Sequence, residues 1–195
     1  MNVALRKPMS RLQFFAWAEA QEGRYEFDGF QPVAMTDGNM GHSLVTGNVL
    51  REVGVRLAGK ACRVVGPDAG VATVGETVRY PDAVVTCSKF SQLDRLVPNP
   101  VIVFEVVSPT SIRIDRVTKV REYNAVPSIQ RYIIVEPNAK AITVFWRDQE
   151  SKLLKAEPPA DNEILPLPEV GFEIPIEGIY EGIVFDDALM DDAGK

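Results

Sequence analysis

From Asn39 to Ala58 apolar side chains recur at Leu44, Val45, Val49, Leu50, Val53 and Leu57. That three-and-four spacing predicts a helix with one face on a core, and Gly59 is a natural stop for it. Residues 10–22, SRLQFFAWAEAQE, predict a shorter amphipathic helix capped by Ser10, with Leu12, Phe15 and Ala16 on its apolar side. GRYEFDGFQPVAM alternates about Asp28-Gly29 and reads as a β-hairpin. After Gly59 the helical period gives way to short apolar runs, CRVVG, GVATVG, TVRYPDAVVTC and PVIVFEVVS, separated by turn residues. They predict consecutive strands, several buried on both faces. A polar helix is expected from about Arg113 to Asn124, with Pro127 beyond its end. IQRYIIVEP is a further buried strand that turns through Pro137-Asn138 into NAKAITVFWRD. The proline-rich and acidic final third predicts irregular cover and short edge strands. The order is helix, hairpin, helix, strands, helix, strand, strand. This predicts an α/β sheet with helices on its faces, in a single domain to residue 185 followed by an acidic tail over 186–195.

Composition changes this picture little. Of 195 residues, 46% are hydrophobic and 25% charged, as expected of a globular chain. No window is long and apolar enough for a membrane helix, and the N-terminus lacks the pattern of a signal peptide. Cys62 and Cys87 are too far apart for a close-spaced metal pair, and are expected to be reduced, small buried residues of a cytoplasmic protein. The net charge of −6 argues against a generally basic nucleic-acid-binding surface. There is no GxGxxG turn, no GxxxxGK[ST] loop and no HExxH, which removes the Rossmann, phosphate-loop and common zinc-protease readings.

Glu105 breaks the apolar run VIVFEVV. A buried carboxylate needs a partner or a proton, so this residue calls for chemistry or an ion pair. Asp82, after Pro81 at the start of AVVTC, is the second candidate. If the two strands are neighbours, the carboxylates converge at one end and suit Mg²⁺ or Mn²⁺, which take oxygen ligands and keep part of their water shell. Asp115, Lys119 and Tyr123 recur every four residues on the following helix and share a face. With that face toward the sheet, Lys119 can orient an attacking water or stabilise charge on a phosphate. An ion pair of Glu105 with Lys119 or Arg121 satisfies the burial equally well without catalysis. Asp82 is also ordinary turn chemistry after proline, and Lys119 pairs as readily with Asp115 on a solvated face.

RYEFDGF, GHSLVTGNVL, YPDAVVTC and VIVFEVVSPTSIRIDRVTKVREYNAVPSIQRYIIVEP together resemble successive signatures of the Uma-two family. These are endonucleases of the PD-(D/E)XK superfamily with a restriction-endonuclease-like fold. The similarity runs from about Tyr25 to Pro137. It implies a central mixed β-sheet flanked by helices with additional β-hairpins. It further implies that Asp82 is the motif aspartate and Glu105 the motif acid, holding a divalent metal, with Glu26 as an early acid near that metal. The strand lysine expected two residues after the acid is Val107 here, and Lys119 matches a replacement on the helix. His42, the only histidine, is placed at the periphery of the site.

Two functions follow as expectations. One is a Mg²⁺- or Mn²⁺-dependent endonuclease acting on DNA, working as a homodimer so that both strands are cut. The other is a non-catalytic protein-interaction module on a decayed nuclease fold, favoured by the acidic balance and by Val107. A closed, dry Glu105–Lys119 pair would count against catalysis.

Overall fold

Six strands form the central sheet of the computed structural model, which describes residues 8–35, 38–107, 115–157 and 163–185. They are β3 (Arg63–Val65), β6 (Ala83–Thr86), β7 (Pro100–Val106), β8 (Arg131–Glu136), β9 (Ala141–Arg147) and β10 (Leu154–Glu157), in the order β10-β9-β8-β7-β6-β3. Only the β7–β8 pairing is parallel, so the sheet is mixed. Parallel neighbours need a crossover, and this one includes a π-helical turn over Asp115–Lys119 and helix α3, Val120–Asn124. A π turn of i→i+5 bonds replaces the first part of the regular helix the sequence predicts, and the predicted start at Arg113 lies outside the described residues. So do the side chain of Asp115 and the tail over 186–195.

Two apolar faces follow from the pleat. Ala83, Val85, Ile102, Phe104 and Val106 turn toward one side, where they meet Val45, Val49, Val53 and Leu57 of α2 (Met40–Leu57) and Ile176 and Ile179 of α4 (Ile176–Ile179). Val84, Val103 and Val107 turn to the other side, toward Tyr123, Ile129 and Ile134. Strands β6, β7 and β8 are therefore buried on both faces, as their unbroken apolar runs predict. Leu44 is a correction. It is 42% exposed, because the buried stripe of α2 advances in steps of four from Val45 and leaves position 44 at its margin.

A smaller sheet, β2-β1-β5-β4, combines the hairpin β1 (Tyr25–Phe27) and β2 (Pro32–Ala34) with β4 (Val71–Ala72) and β5 (Val78–Arg79). Asp28 shapes the hairpin loop by accepting from the backbone N–H groups of Phe30 and Gln31, and Gly29 takes φ +88°, open to glycine at little steric cost. Helix α1 (Arg11–Ala18) opens on a capping box between Ser10 and Gln13. Its buried residue is Phe14, stacked on Phe27 at 5.0 Å. Leu12 is 81% exposed, so the predicted Leu12/Phe15/Ala16 face is wrong by one side of a short helix. The chain closes with the β11–β12 ribbon (Ile164–Leu167 and Phe172–Pro175). No helix among the described residues is long and apolar enough to cross a membrane.

The cysteine expectation is overturned. Cys62 and Cys87 form a disulfide; Cys87 is exposed and Cys62 half-buried. Cys62 precedes β3 and Cys87 follows β6. The antiparallel register that sets Arg63 opposite Thr86 brings the two together. A separation of 25 residues carries no sign of this pairing until the strand register is known.

Candidate active site

Glu105 is the second-last residue of β7, and it points to the side where Val103 and Val107 lie, toward the helical crossover. Its side chain is 6% exposed. Lys119 Nζ donates to both carboxylate oxygens at 3.0 Å, and the Tyr123 hydroxyl donates to Oε1 at 2.7 Å. Lys119 is itself only 9% exposed. The helical spacing of Lys119 and Tyr123 thus delivers two donors to one carboxylate, as the shared face predicts. Burial first, and then the facing Glu105 charge, push the Tyr123 hydroxyl well above its ordinary range, so it remains a donor. Val107 is buried in the apolar cluster on this same face, and the amine that reaches Glu105 comes from the helix.

Glu26, on β1, belongs to the same network. Lys119 Nζ lies 3.4 Å from its Oε1, Arg79 Nη1 donates to its Oε2 at 2.8 Å, and the Tyr80 N–H donates to its Oε1 at 3.2 Å. Burial alone would raise the Glu26 pKa, but the charges of Lys119 and Arg79 outweigh it and hold the group below its ordinary value. Arg79, on β5, also clasps Glu122 of α3 in fork geometry, Nε to Oε2 at 2.6 Å and Nη2 to Oε1 at 2.7 Å. Burial works against the Arg79 charge, and the bonds to Glu122 and the charge of Glu26 reverse it. Sequence reasoning missed Arg79 and Glu122. The signal available for Arg79 was the one used for Glu105, a charge inside a strand, in TVRYPD. Arg121, the other cation weighed as a partner for Glu105, is exposed.

Asp82 stands immediately before β6, where the register Ala83–Phe104 runs out toward Glu105. Its Oδ2 accepts the Val106 N–H at 2.7 Å, taking over a backbone donor at the end of the β6–β7 ladder. Among the described residues its Oδ1 has longer contacts, 3.4 Å to Thr46 Oγ1 and 3.4 Å to His42 Nε2, both from the first turns of α2. Asn39 caps that helix by accepting the His42 N–H. Asp82 and Glu105 therefore stand at the same end of adjoining strands, Asp82 met from α2 and Glu105 from α3. His42 lies at the edge of the site, beside Asp82.

The residues fit a divalent ion in kind. Asp82 and Glu105 are hard oxygen donors on neighbouring strands, the ligand type that Mg²⁺ and Mn²⁺ take while keeping several waters. Asp82 Oδ1, with these long contacts among the described residues, has coordinating capacity to offer. Among the described residues no group of three His, Cys, Asp or Glu side chains is arranged for a metal; the oxygens of Glu26 are already met by Arg79, Lys119 and the Tyr80 N–H, and those of Glu105 by Lys119 and Tyr123.

A mixed sheet with helices on both faces and acids gathered at one end of its central strands is the restriction-endonuclease-like architecture. Residues 12–177 match the Uma2 family, described as "Putative restriction endonuclease", and the chain belongs to that family. It is 26% identical over 179 residues to the uncharacterized protein slr1290 of Synechocystis sp., a match spanning 91% of this chain and 94% of that one. Its fold is similar to the crystal structure of a "putative nuclease" from Anabaena variabilis, with a TM-score of 0.66 over 91% of this chain and 100% of that one, at 14% identity.

Proposed function

We propose that this protein is a nuclease that hydrolyses DNA phosphodiester bonds at Asp82, Glu105 and Lys119. The observation that supports it best is the placement of Asp82 and Glu105 at the same end of adjoining strands, with Asp82 accepting the N–H of Val106, the residue after Glu105. Mg²⁺ or Mn²⁺ would be held by Asp82 and Glu105. When bound, the ion would lower the pKa of a water and neutralise phosphate charge. The chain's own residues have separate tasks. Lys119 presents an ammonium to the non-bridging phosphate oxygens as negative charge develops. Tyr123 fixes one Glu105 oxygen, and the Val106 N–H fixes one Asp82 oxygen. Glu26 gives Lys119 a second carboxylate at 3.4 Å, and His42 contributes beside Asp82 at the periphery. A homodimer would bring two such centres to the two strands of a duplex; light scattering at the mass of one chain over the working concentration range would remove that part.

The first experiment is calorimetric titration of Mn²⁺ into wild type and Glu105→Gln, followed by nicking of supercoiled plasmid. Binding by wild type that is lost in the variant, with Mn²⁺-dependent nicking, is the expected result. Absence of binding to both would overturn the metal-dependent reading.

A second reading has its own observation. The Glu105–Lys119 pair is closed and almost dry, with side-chain exposures of 6% and 9%, and it satisfies the buried acid without a metal. That is what a non-catalytic interaction module on this fold would retain. Wild type that neither binds Mn²⁺ nor cuts DNA would bring this reading forward.

A further inference from the structure

We propose that Arg79 is a positioning residue for Lys119, a role that rests on reading Glu105 and Lys119 as the reaction centre. Lys119 is a long, flexible side chain carrying a point charge, and nothing intrinsic to it selects one location for its amine. Its place depends on two things: where the helix that bears it docks, and where its second carboxylate, Glu26, is held. Arg79 controls both. Two of its nitrogens, Nε and Nη2, grip Glu122, which is three residues beyond Lys119 and so close to it on the helix surface. The third nitrogen, Nη1, grips Glu26. One planar guanidinium thus ties β5 to β1 and to α3 together.

The bonds are directional. A bidentate Arg–carboxylate pair fixes an orientation as well as a distance, so the helix cannot rotate about its axis without breaking the grip on Glu122. Arg79 is 5% exposed, which keeps water from competing for these bonds. A lysine at this position would keep the positive charge and lose the fork. It could serve one carboxylate well, and not hold one in a fork while binding a second. Arg79 touches neither Glu105 nor Asp82 in any of these bonds, which is why its effect on the centre must pass through Lys119.

The test uses the full chain with Arg79→Lys, which keeps the charge, and Glu122→Gln, which weakens only the grip on the helix. Two readouts are taken at a temperature where each variant is folded. The first is plasmid cleavage with Mn²⁺, where kcat should fall about tenfold to a hundredfold, as for a misplaced catalytic group, with KM little changed. The second is the rate at which an amine-acetylating reagent modifies Lys119, mapped by mass spectrometry with the exposed Lys89 and Lys140 as references. That rate should rise several-fold relative to the references in both variants. A purely structural Arg79 would lower stability and leave the relative rate of Lys119 unchanged, and that result overturns the proposal. A fall in kcat with no change in Lys119 labelling overturns it as well. Wild type that does not cut DNA while Lys119 labelling rises in the variants rejects the nuclease reading and retains the positioning role. If Arg79→Lys does not fold, Glu122→Gln decides by the same criteria.

Discussion

The Glu105–Lys119 pair makes a prediction that does not depend on activity. Both groups are nearly dry, the amine 3.0 Å from each carboxylate oxygen, so each ion has lost most of its hydration and depends on the other. Glu105→Gln keeps the shape and an acceptor for Tyr123 but removes the nearer of the two carboxylates that face Lys119, the other being Glu26, and Lys119→Met removes the cation that faces Glu105. Breaking a buried pair in this way costs about 3–5 kcal/mol. Replacing both partners together, as Glu105→Leu with Lys119→Met, leaves no charge of the pair buried. What is left is a Tyr123 hydroxyl without its acceptor, worth about 1–3 kcal/mol, set against the relief of desolvating two ions. The double variant should therefore be more stable than either single one. Urea unfolding followed by circular dichroism measures this directly. With a slope of at most ~3 kcal/mol per molar urea, each single variant should lose about 1 M or more in its midpoint. Single variants within about 1 kcal/mol of wild type, or a double variant whose loss equals the sum of the single losses, would refute the claim that desolvation governs this pair.

Three further outcomes are expected. Reduction of Cys62–Cys87, or the Cys62→Ser/Cys87→Ser variant, opens a loop of 25 residues, worth about 3.5 kcal/mol of chain entropy. For a chain of this length that is roughly 7–14 °C in melting temperature, and two titratable thiols in the unreduced protein would refute it. Glu26 has a folded pKa below its unfolded value of 4.5, so its contribution is present above the unfolded pKa and lost as pH falls through the folded one. Stability measured between about pH 6 and pH 3 should therefore fall less in Glu26→Gln than in wild type, and equal falls would contradict the assignment. Gly38→Ala would place a Cβ 2.6 Å from His42 Nδ1 and 2.7 Å from Cγ, forcing the imidazole off Asp82; an unchanged His42 ring resonance in NMR spectra would contradict that contact.

How much of this could be read in the chain depends on what kind of information each feature needs. Glu105 was legible because a charge inside VIVFEVV demands a partner, and the strands around it were legible because unbroken apolar runs mean burial on both faces. The α2 stripe was legible over four turns, while its margin at Leu44 was not, since a step of one residue rotates a side chain by roughly 100°. A helix as short as α1 has too few turns for the pattern to choose between Phe14 and its neighbours. The Cys62–Cys87 pairing and the partners of Arg79 lay beyond reach for a common reason, although the charge of Arg79 inside a strand was itself visible. Each joins residues whose proximity is set by strand register or by the docking of a helix, and neither leaves a mark in local periodicity.

The same distinction bears on Val107. A lysine on β7 two residues from Glu105 would have its spacing set by covalent geometry, because alternate residues of a strand share a face. Val107 instead fills the apolar cluster on that face, and the amine arrives from α3, so its position is only as good as the docking of that helix. The fold holds α3 at its middle and at its C-terminal end. Arg79 grips Glu122 on its sheet-facing side. The buried guanidinium of Arg147 on β9 donates to the carbonyls of Tyr123, Asn124 and Val126 at and just beyond the helix end. Moving the lysine from strand to helix thus transfers the accuracy of the centre from the backbone to these two arginines. The expected consequence is that disruption of either clasp is felt at Lys119 before it is felt at Asp82, whose carboxylate is fixed by the Val106 N–H of the sheet itself.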